Sequence, residues 1–259
     1  MSGGAQGSGL AELAALVERG DPDRFLATMA APPGARGALL TLHAFNLEVA
    51  RAPWVTREPL IARMRLQFWH DVIDEAETPR AHAVAGPLAG LILARELPRA
   101  LLHGLVAARE RDLERAPFAD EAALWAYLEA TSGNLMALTV RALGGQADTL
   151  AQDWGAVQGL ANYFMAVPAL EAAGRQPLPD GRPGTVAALA RQGLERLQRA
   201  RAGRGQVQRA ARPALLAAWR ARALLSQAAA DPVVVAAGGL GQSEFARRGS
   251  LLWRALAGP

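Results

Sequence analysis

Residues 154–170 read WGAVQGLANYFMAVPAL, and none of their side chains is charged. A helix with one face in water carries a polar stripe, so this run predicts a helix that is buried on most sides. Glycine and proline cluster in residues 173–184, which predicts the end of that helix and an irregular loop. Residues 37–51 are nearly as poor in charge, and we expect the two segments to be antiparallel neighbours flanking an apolar centre.

The rest of the chain favours an all-α fold in one domain. Helical periodicity dominates, and no run of alternating β-branched residues competes with it. Asp21, Asp120 and Ser243 precede helical patterns as N-cap residues, and about ten helices of ordinary length fit the chain. Residues 1–9 are rich in glycine and serine and are expected to form a disordered tail, which leaves residues 10–259 as the helical domain.

A specific motif follows the uncharged segment. Residues 174–179 read GRQPLP, and Asn162 lies upstream. The pattern resembles the squalene/phytoene synthase family, in which a helix of the form Asn-x-x-x-Asp-x-x-x-Asp leads into Gly-Arg-x-Tyr-Leu-Pro. The two aspartate positions hold Ala166 and Leu170 here. The resemblance implies an isoprenoid-synthase-like helical bundle around a central cavity.

The same kind of substitution occurs a second time. Residues 42–51 read LHAFNLEVAR and resemble the family's first motif, Tyr-Ala-Phe-x-Arg-x-x-Asp-Asp-x-x-Asp. Its aspartate positions hold Ala50, Arg51 and Trp54, and its arginine position holds Leu47. Two independent losses at equivalent positions make a misalignment a poor explanation.

These losses bear on the chemistry that the resemblance implies. In that family two prenyl diphosphates are joined head to head, and departure of the diphosphate needs Mg²⁺ held by oxygen ligands from two facing helices. One of these helices offers Glu48 alone and the other offers no carboxylate between Asp153 and Glu171. We therefore expect no catalytic residues, no metal site and no cofactor, with Mg²⁺ required only if the ancestral activity survived.

Two alternatives stay open at this stage. The chain could be an active head-to-head prenyl diphosphate synthase of isoprenoid biosynthesis, the reaction that its family carries out. Asp71, Asp74 and Glu75 share one helix face and could form a relocated metal site, although a solvated acidic helix end is the simpler interpretation.

The resemblance also indicates which residues could hold a ligand. Loss of the aspartates leaves walls suited to an apolar or prenyl chain, and the candidates for cavity or ligand contacts are His43, Phe45, Asn162, Phe164 and Arg175. The alternative is that these residues form ordinary core. His43 occupies the position of a cavity tyrosine in the family motif.

Three segments of this chain resemble one particular branch of the family. Residues 44–48, residues 64–69 (MRLQFW) and the Leu-Pro pair at 178–179 resemble the mitochondrial branch that takes part in assembly of respiratory complex I. This resemblance implies a non-catalytic protein that acts by binding. Its expected partner is a protein, either a respiratory-complex subunit or an assembly intermediate.

The charge of the chain is uneven. All 28 basic residues are arginine, and the formal net charge is +4. Residues 189–222 hold nine of these arginines against the single acid Glu195. Arg191, Arg196 and Arg199 lie opposite an apolar stripe and are candidates for a face that docks a protein partner or makes peripheral membrane contact. A solvated arginine face is the plainer interpretation, and nucleic acid is not expected because no binding motif accompanies the charge.

Composition limits the remaining classes of function. The chain has no cysteine, which excludes thiol catalysis and cysteine metal sites. No segment approaches the roughly 20 apolar residues that a membrane span needs, and the N-terminus lacks the pattern of a secretory signal. The arginine-rich, alanine-rich composition is typical of a bacterial protein. We expect a cytoplasmic protein, peripheral on the inner membrane if the arginine face binds lipid.

Overall fold

The computed structural model describes residues 3–56, 58–78 and 80–258, with residues 3–8 described by backbone alone. These residues form α-helices and no β-strand, which confirms the predicted all-α class. The helices are α1 (Gly3–Gly20), α2 (Pro22–Ala30), α3 (Pro33–Arg51), α4 (Pro59–Asp74), α5 (Ala85–Arg95), α6 (Arg99–Ala108), α7 (Glu121–Leu128), α8 (Asn134–Ala142), α9 (Asp148–Ala172), α10 (Pro183–Ala202), α11 (Ala221–Ala230), α12 (Val233–Ala236) and α13 (Glu244–Ala257). Short 3₁₀ segments cover Arg109–Leu113, Gly203–Gln206 and Arg212–Ala218, and a π-helical turn covers Glu129–Gly133.

Three helix starts follow the predicted capping residues, whereas Thr56, also expected as a cap, lies two residues before Glu58, the N-cap position of α4. The side chain of Asp21 accepts a hydrogen bond from the Arg24 amide at 2.9 Å, and Asp120 and Ser243 cap α7 and α13 in the same way. The helical span of α1 begins at Gly3, and the disordered tail expected over residues 1–9 stays a prediction. Leu13 and Val17 anchor this helix in the core, and no helix-breaking proline precedes them. Met1 and Ser2 lie outside the described residues.

Helix α8 is the shared centre of the fold. It is buried along nearly its whole length and contributes to two hydrophobic clusters. Met136, Ala137 and Val140 join the cluster built from α7, α9, α10 and α11, whereas Leu135 and Leu138 join the cluster built from α1, α3, α4, α5 and α6. The two clusters therefore meet along one helix.

The π-helical turn Glu129–Gly133 packs closely against α9, and glycines make this approach possible. A Cβ atom on Gly155 would overlap the Ser132 carbonyl oxygen and lie 2.6 Å from Met136 Cβ. A Cβ atom on Gly159 would lie 2.8 Å from Ser132 Cβ. The backbones can reach this separation because neither position carries a side chain.

The expected relation between α3 and α9 is only partly correct. Residues 154–161 are buried, as their lack of charge predicts, while Asn162, Met165 and Ala169 are exposed on the later turns of α9. The two helices are not antiparallel neighbours. Helix α8 packs against both of them, and their C-terminal ends approach one common pocket. Antiparallel neighbours would instead place the end of one helix beside the start of the other.

The Arg196 side chain on α10 forms ion pairs with other parts of the chain. Its guanidinium group donates to Asp153 of α9 at 2.8 Å and to Glu129 of the π-helical turn at 2.6 Å, and it lies 5.0 Å from the ring centroid of Trp125. The docking face of Arg191, Arg196 and Arg199 stays a prediction, in which Arg196 is already paired with acidic residues from distant parts of the chain. Arg191 and Arg199 are exposed.

We predict that Gly155→Ala destabilises the fold by about 1–3 kcal/mol or more, because the new methyl group overpacks the contact with the π-helical turn. Gly90→Ala is the matched control, since Gly90 lies exposed on α5 with no atom within 4 Å of its added Cβ. This control should gain up to ~1 kcal/mol from helix propensity. Urea unfolding followed by circular dichroism measures both values, and equal unfolding free energies would contradict the glycine argument.

We also predict that Arg196→Gln lowers the free energy of unfolding by about 1–3 kcal/mol, since hydrogen bonds to two carboxylates are lost. Arg191→Gln on the same helix should change it by no more than about 0.5 kcal/mol, because the side chain is exposed. The same unfolding measurement applies. An equal decrease in the free energy of unfolding of the two variants would show that the ion pairs with Asp153 and Glu129 do not stabilise the fold.

Candidate functional site

The two altered motifs meet at one pocket. Ala50 and Trp54 line it from the end of α3 and the turn that follows, and Ala166 and Leu170 line it from α9. The cavity measures about 440 Å³. Arg51 points elsewhere, into a separate surface depression that it shares with Glu48. Four of the five positions that align with metal ligands in the family thus face the same space.

The remaining walls combine apolar and charged side chains. The apolar part includes Ala116, Phe118, Ala169, Ala173 and Pro177. The charged part has four arginines and two carboxylates, namely Arg109, Arg111, Arg115, Arg175, Asp112 and Glu114. The pocket therefore combines apolar walls with an excess of positively charged side chains.

A hydrogen-bonded triad fixes one side of the pocket. Arg109 donates to the Tyr127 hydroxyl at 2.7 Å and to Asp112 at 3.3 Å, and Tyr127 donates to Asp112 at 2.9 Å. Burial raises the pKa of Tyr127 well above its ordinary value, so the hydroxyl keeps its proton and acts as a donor. The Asp112 carboxylate is thereby occupied by two partners from within the chain.

Arg175 links three segments around the pocket. Its guanidinium group donates to the Glu114 carbonyl oxygen at 2.6 Å and lies 4.3 Å from the ring centroid of Trp54. The loop that carries Arg175 is tied to α9 by a 2.9 Å hydrogen bond from the Tyr163 hydroxyl to the Pro177 carbonyl oxygen. Burial raises the pKa of Tyr163 as well. Of the five predicted ligand contacts, Arg175 is the one that the structure places at the pocket.

The other four predicted contacts lie elsewhere. His43 is buried, with its Nδ1 3.2 Å from the Thr28 hydroxyl, and burial together with nearby Arg24 lowers its pKa to about 3. The neutral ring is thus a core residue. Phe45 packs edge-to-face on Trp69, and Phe164 is fully buried in the cluster around α9.

Asn162 is exposed and is not among the pocket-lining residues. Its neighbour Tyr163 lines the pocket instead, because one residue along a helix turns the side chain by about 100°. The sequence did contain a signal for the missed residues. The chain has two tyrosines, and both of them, Tyr127 and Tyr163, line this pocket.

The residues present do not fit a magnesium cluster. Ala50, Ala166 and Leu170 supply no side-chain oxygen, and Asp112 is held by Arg109 and Tyr127. Over residues 3–56, 58–78 and 80–258, no group of three or more histidine or carboxylate side chains could hold a metal ion.

The relocated site that the sequence left open is likewise not formed. The Asp71 carboxylate accepts from Gln67, Asp74 lies 2.9 Å from His103 Nε2, and Glu75 pairs with Arg80. The three carboxylates are separated because each is drawn to a different partner.

No helix in the described part of the chain is long and apolar enough to cross a membrane. The pocket combines an apolar space with guanidinium groups, which suits the binding of an amphiphilic or anionic molecule.

Comparison with known proteins places these features in context. The family profile described as squalene/phytoene synthase matches residues 17–242. Complex I assembly factor 6 homolog from Drosophila melanogaster is 36% identical over 185 residues, covering 67% of this chain and 54% of that protein. Human complex I assembly factor 6 is 28% identical over 158 residues, covering 59% and 47%. The chain spans about half the length of these curated relatives.

Solved structures share the fold. A dehydrosqualene synthase crystallised with a ligand superimposes with a TM-score of 0.78 at 15% identity, covering 96% of each chain. A squalene synthase from Alicyclobacillus acidocaldarius gives a TM-score of 0.71 at 15% identity, covering 85% of this chain and 93% of the other. With the profile spanning most of its length, the chain belongs to the squalene/phytoene synthase family.

Proposed function

We propose that this protein is a catalytically degenerate member of its family that acts by binding and takes part in the assembly of respiratory complex I. The observation that carries the proposal is the pocket itself. Four of the five ligand positions of the two metal motifs lie around it, and they carry Ala50, Trp54, Ala166 and Leu170. A site that cannot gather Mg²⁺ lacks the main electrostatic source for diphosphate departure.

The assembly role is supported by the relatives that the sequence matches. The proteins from Drosophila melanogaster and human are both named complex I assembly factor 6 or its homolog. The expected partner is a respiratory-complex subunit or an assembly intermediate. With this role we expect the protein to act on the cytoplasmic side of a bacterial inner membrane.

The pocket also supports a role for a small ligand. Its apolar walls suit an alkyl or prenyl chain, and its arginines suit an anionic head. Arg175 is placed for this role by its contact with Trp54 and by the anchored loop after α9. In this proposal the ligand is bound and kept, and no bond is broken.

We predict that the purified protein does not release diphosphate from farnesyl or geranylgeranyl diphosphate with Mg²⁺ or Mn²⁺. Loss of several kcal/mol of metal electrostatics lowers the rate about tenfold for every ~1.4 kcal/mol. An active dehydrosqualene synthase in the same assay serves as the positive control. Metal-dependent diphosphate release above the no-enzyme background would favour the alternative, an active prenyl diphosphate synthase.

The assembly role is tested by deleting the gene in the source organism and measuring membrane NADH:ubiquinone oxidoreductase activity beside the isoprenoid profile. We expect a several-fold loss of complex I activity, accumulation of a subcomplex on native gels and an unchanged isoprenoid profile. The opposite pattern, intact complex I with altered isoprenoids, would overturn the proposal.

Complementation then tests the pocket. Ala166→Phe would fill the cavity, whereas Met165→Phe on the adjacent, exposed position of α9 leaves it open. We expect the Met165 variant to restore complex I and the Ala166 variant to fail, with both proteins present at equal levels. Full restoration by the Ala166 variant would show that assembly does not use the pocket.

A further inference from the structure

Helix α13 presents an apolar face to solvent. Phe245 is 90% exposed, Leu252 63%, Trp253 70% and Leu256 79%. At about 100° of rotation per residue these four side chains fall within an arc of roughly 100°. A contiguous apolar face of this kind, on a helix otherwise rich in arginine, indicates a docking surface.

The helix is fixed to the body of the protein on its other side. Leu251 is buried in a small cluster with Ala27, Leu216 and Trp219. Arg247 pairs with Asp23 of α2 at 3.0 Å. These contacts fix the orientation of α13. The four apolar side chains therefore point away from the body of the protein.

Arginines from three helices gather where α13 meets the body. Arg201 of α10, Arg222 of α11 and Arg254 of α13 lie close enough that burial, followed by the charges of Arg254, Arg222 and Arg204, lowers the pKa of Arg201 to about 10. None of Arg201, Arg222 and Arg254 has a carboxylate partner among the described residues. Within the part of the chain that the structure describes, positive charge is therefore concentrated at Arg201, Arg222 and Arg254.

We propose that α13 docks the protein on an anionic phospholipid surface. The face of Phe245, Leu252, Trp253 and Leu256 enters the boundary between headgroups and acyl chains, and Arg201, Arg222 and Arg254 bind lipid phosphates. An interfacial helix sinks about 5–10 Å into that boundary, which brings side chains on its body side to the level of the phosphates. Apolar area and unneutralised arginine occur side by side on this surface, and an anionic bilayer complements both.

The inference rests on residues that do not line the pocket, so it can fail while the proposed function stands. It also assigns membrane contact to a surface other than the one expected from Arg191, Arg196 and Arg199. Arg196 is committed to internal ion pairs, whereas the arginines beside α13 are not.

The test is sedimentation of the full chain with vesicles of phosphatidylcholine alone or of phosphatidylcholine and phosphatidylglycerol in equal parts. We expect binding to the anionic vesicles that weakens as salt is added. Phe245→Ser combined with Trp253→Ser should weaken it at least tenfold. Arg222→Gln combined with Arg254→Gln should weaken it about fivefold for each arginine and flatten its salt dependence.

The matched control combines Leu60→Ser and Met64→Ser on α4, where the side chains are 70% and 64% exposed. This variant should bind vesicles as the natural protein does, and circular dichroism should show the same melting temperature for all variants. The proposal is overturned if the natural protein ignores anionic vesicles or if the α4 control loses as much binding as the α13 variant. It is also overturned if light scattering shows α13 joining two copies of the chain without vesicle binding, or if inorganic phosphate binds and vesicles do not.

Discussion

The close approach of α9 to the π-helical turn is the constraint on which the pocket depends. Gly155 and Gly159 allow the backbone of α9 to reach Ser132, and this contact sets where both segments run. Tyr127 stands just before the turn and Tyr163 lies further along α9, so the two hydroxyl groups reach the same space. A side chain at either glycine would push apart the two walls from which the tyrosines project.

The pocket retains positive charge without a metal. In an active family member carboxylates bind magnesium and magnesium binds the diphosphate, so the protein holds the diphosphate through the metal ion. Here the carboxylates of both motifs are absent, and arginines in the pocket wall present positive charge directly. Guanidinium groups bind anions without polarising a leaving oxygen as strongly as a metal ion does, which is why we propose that the altered site holds a ligand and does not cleave it.

The sequence predicted some parts of this structure and not others. The motif alignment singled out Ala50, Ala166 and Leu170, which face one pocket because helical spacing fixes their sides of the two helices. It failed for His43 and Phe45 because α3 is buried on nearly all sides, and hydrophobicity cannot then show which side meets a cavity. The contacts of Arg196 were also out of reach, since its acidic partners lie far away in sequence.

The pocket and the α13 surface are separate parts of the molecule. Helix α13 packs against α2 and the 212–218 segment, whereas the pocket is built from α3, α7, α9, the loop after α9 and residues 109–118. No residue contributes to both surfaces. A protein held on a bilayer through α13 therefore keeps its pocket free for a ligand, and binding at one surface need not displace what is bound at the other.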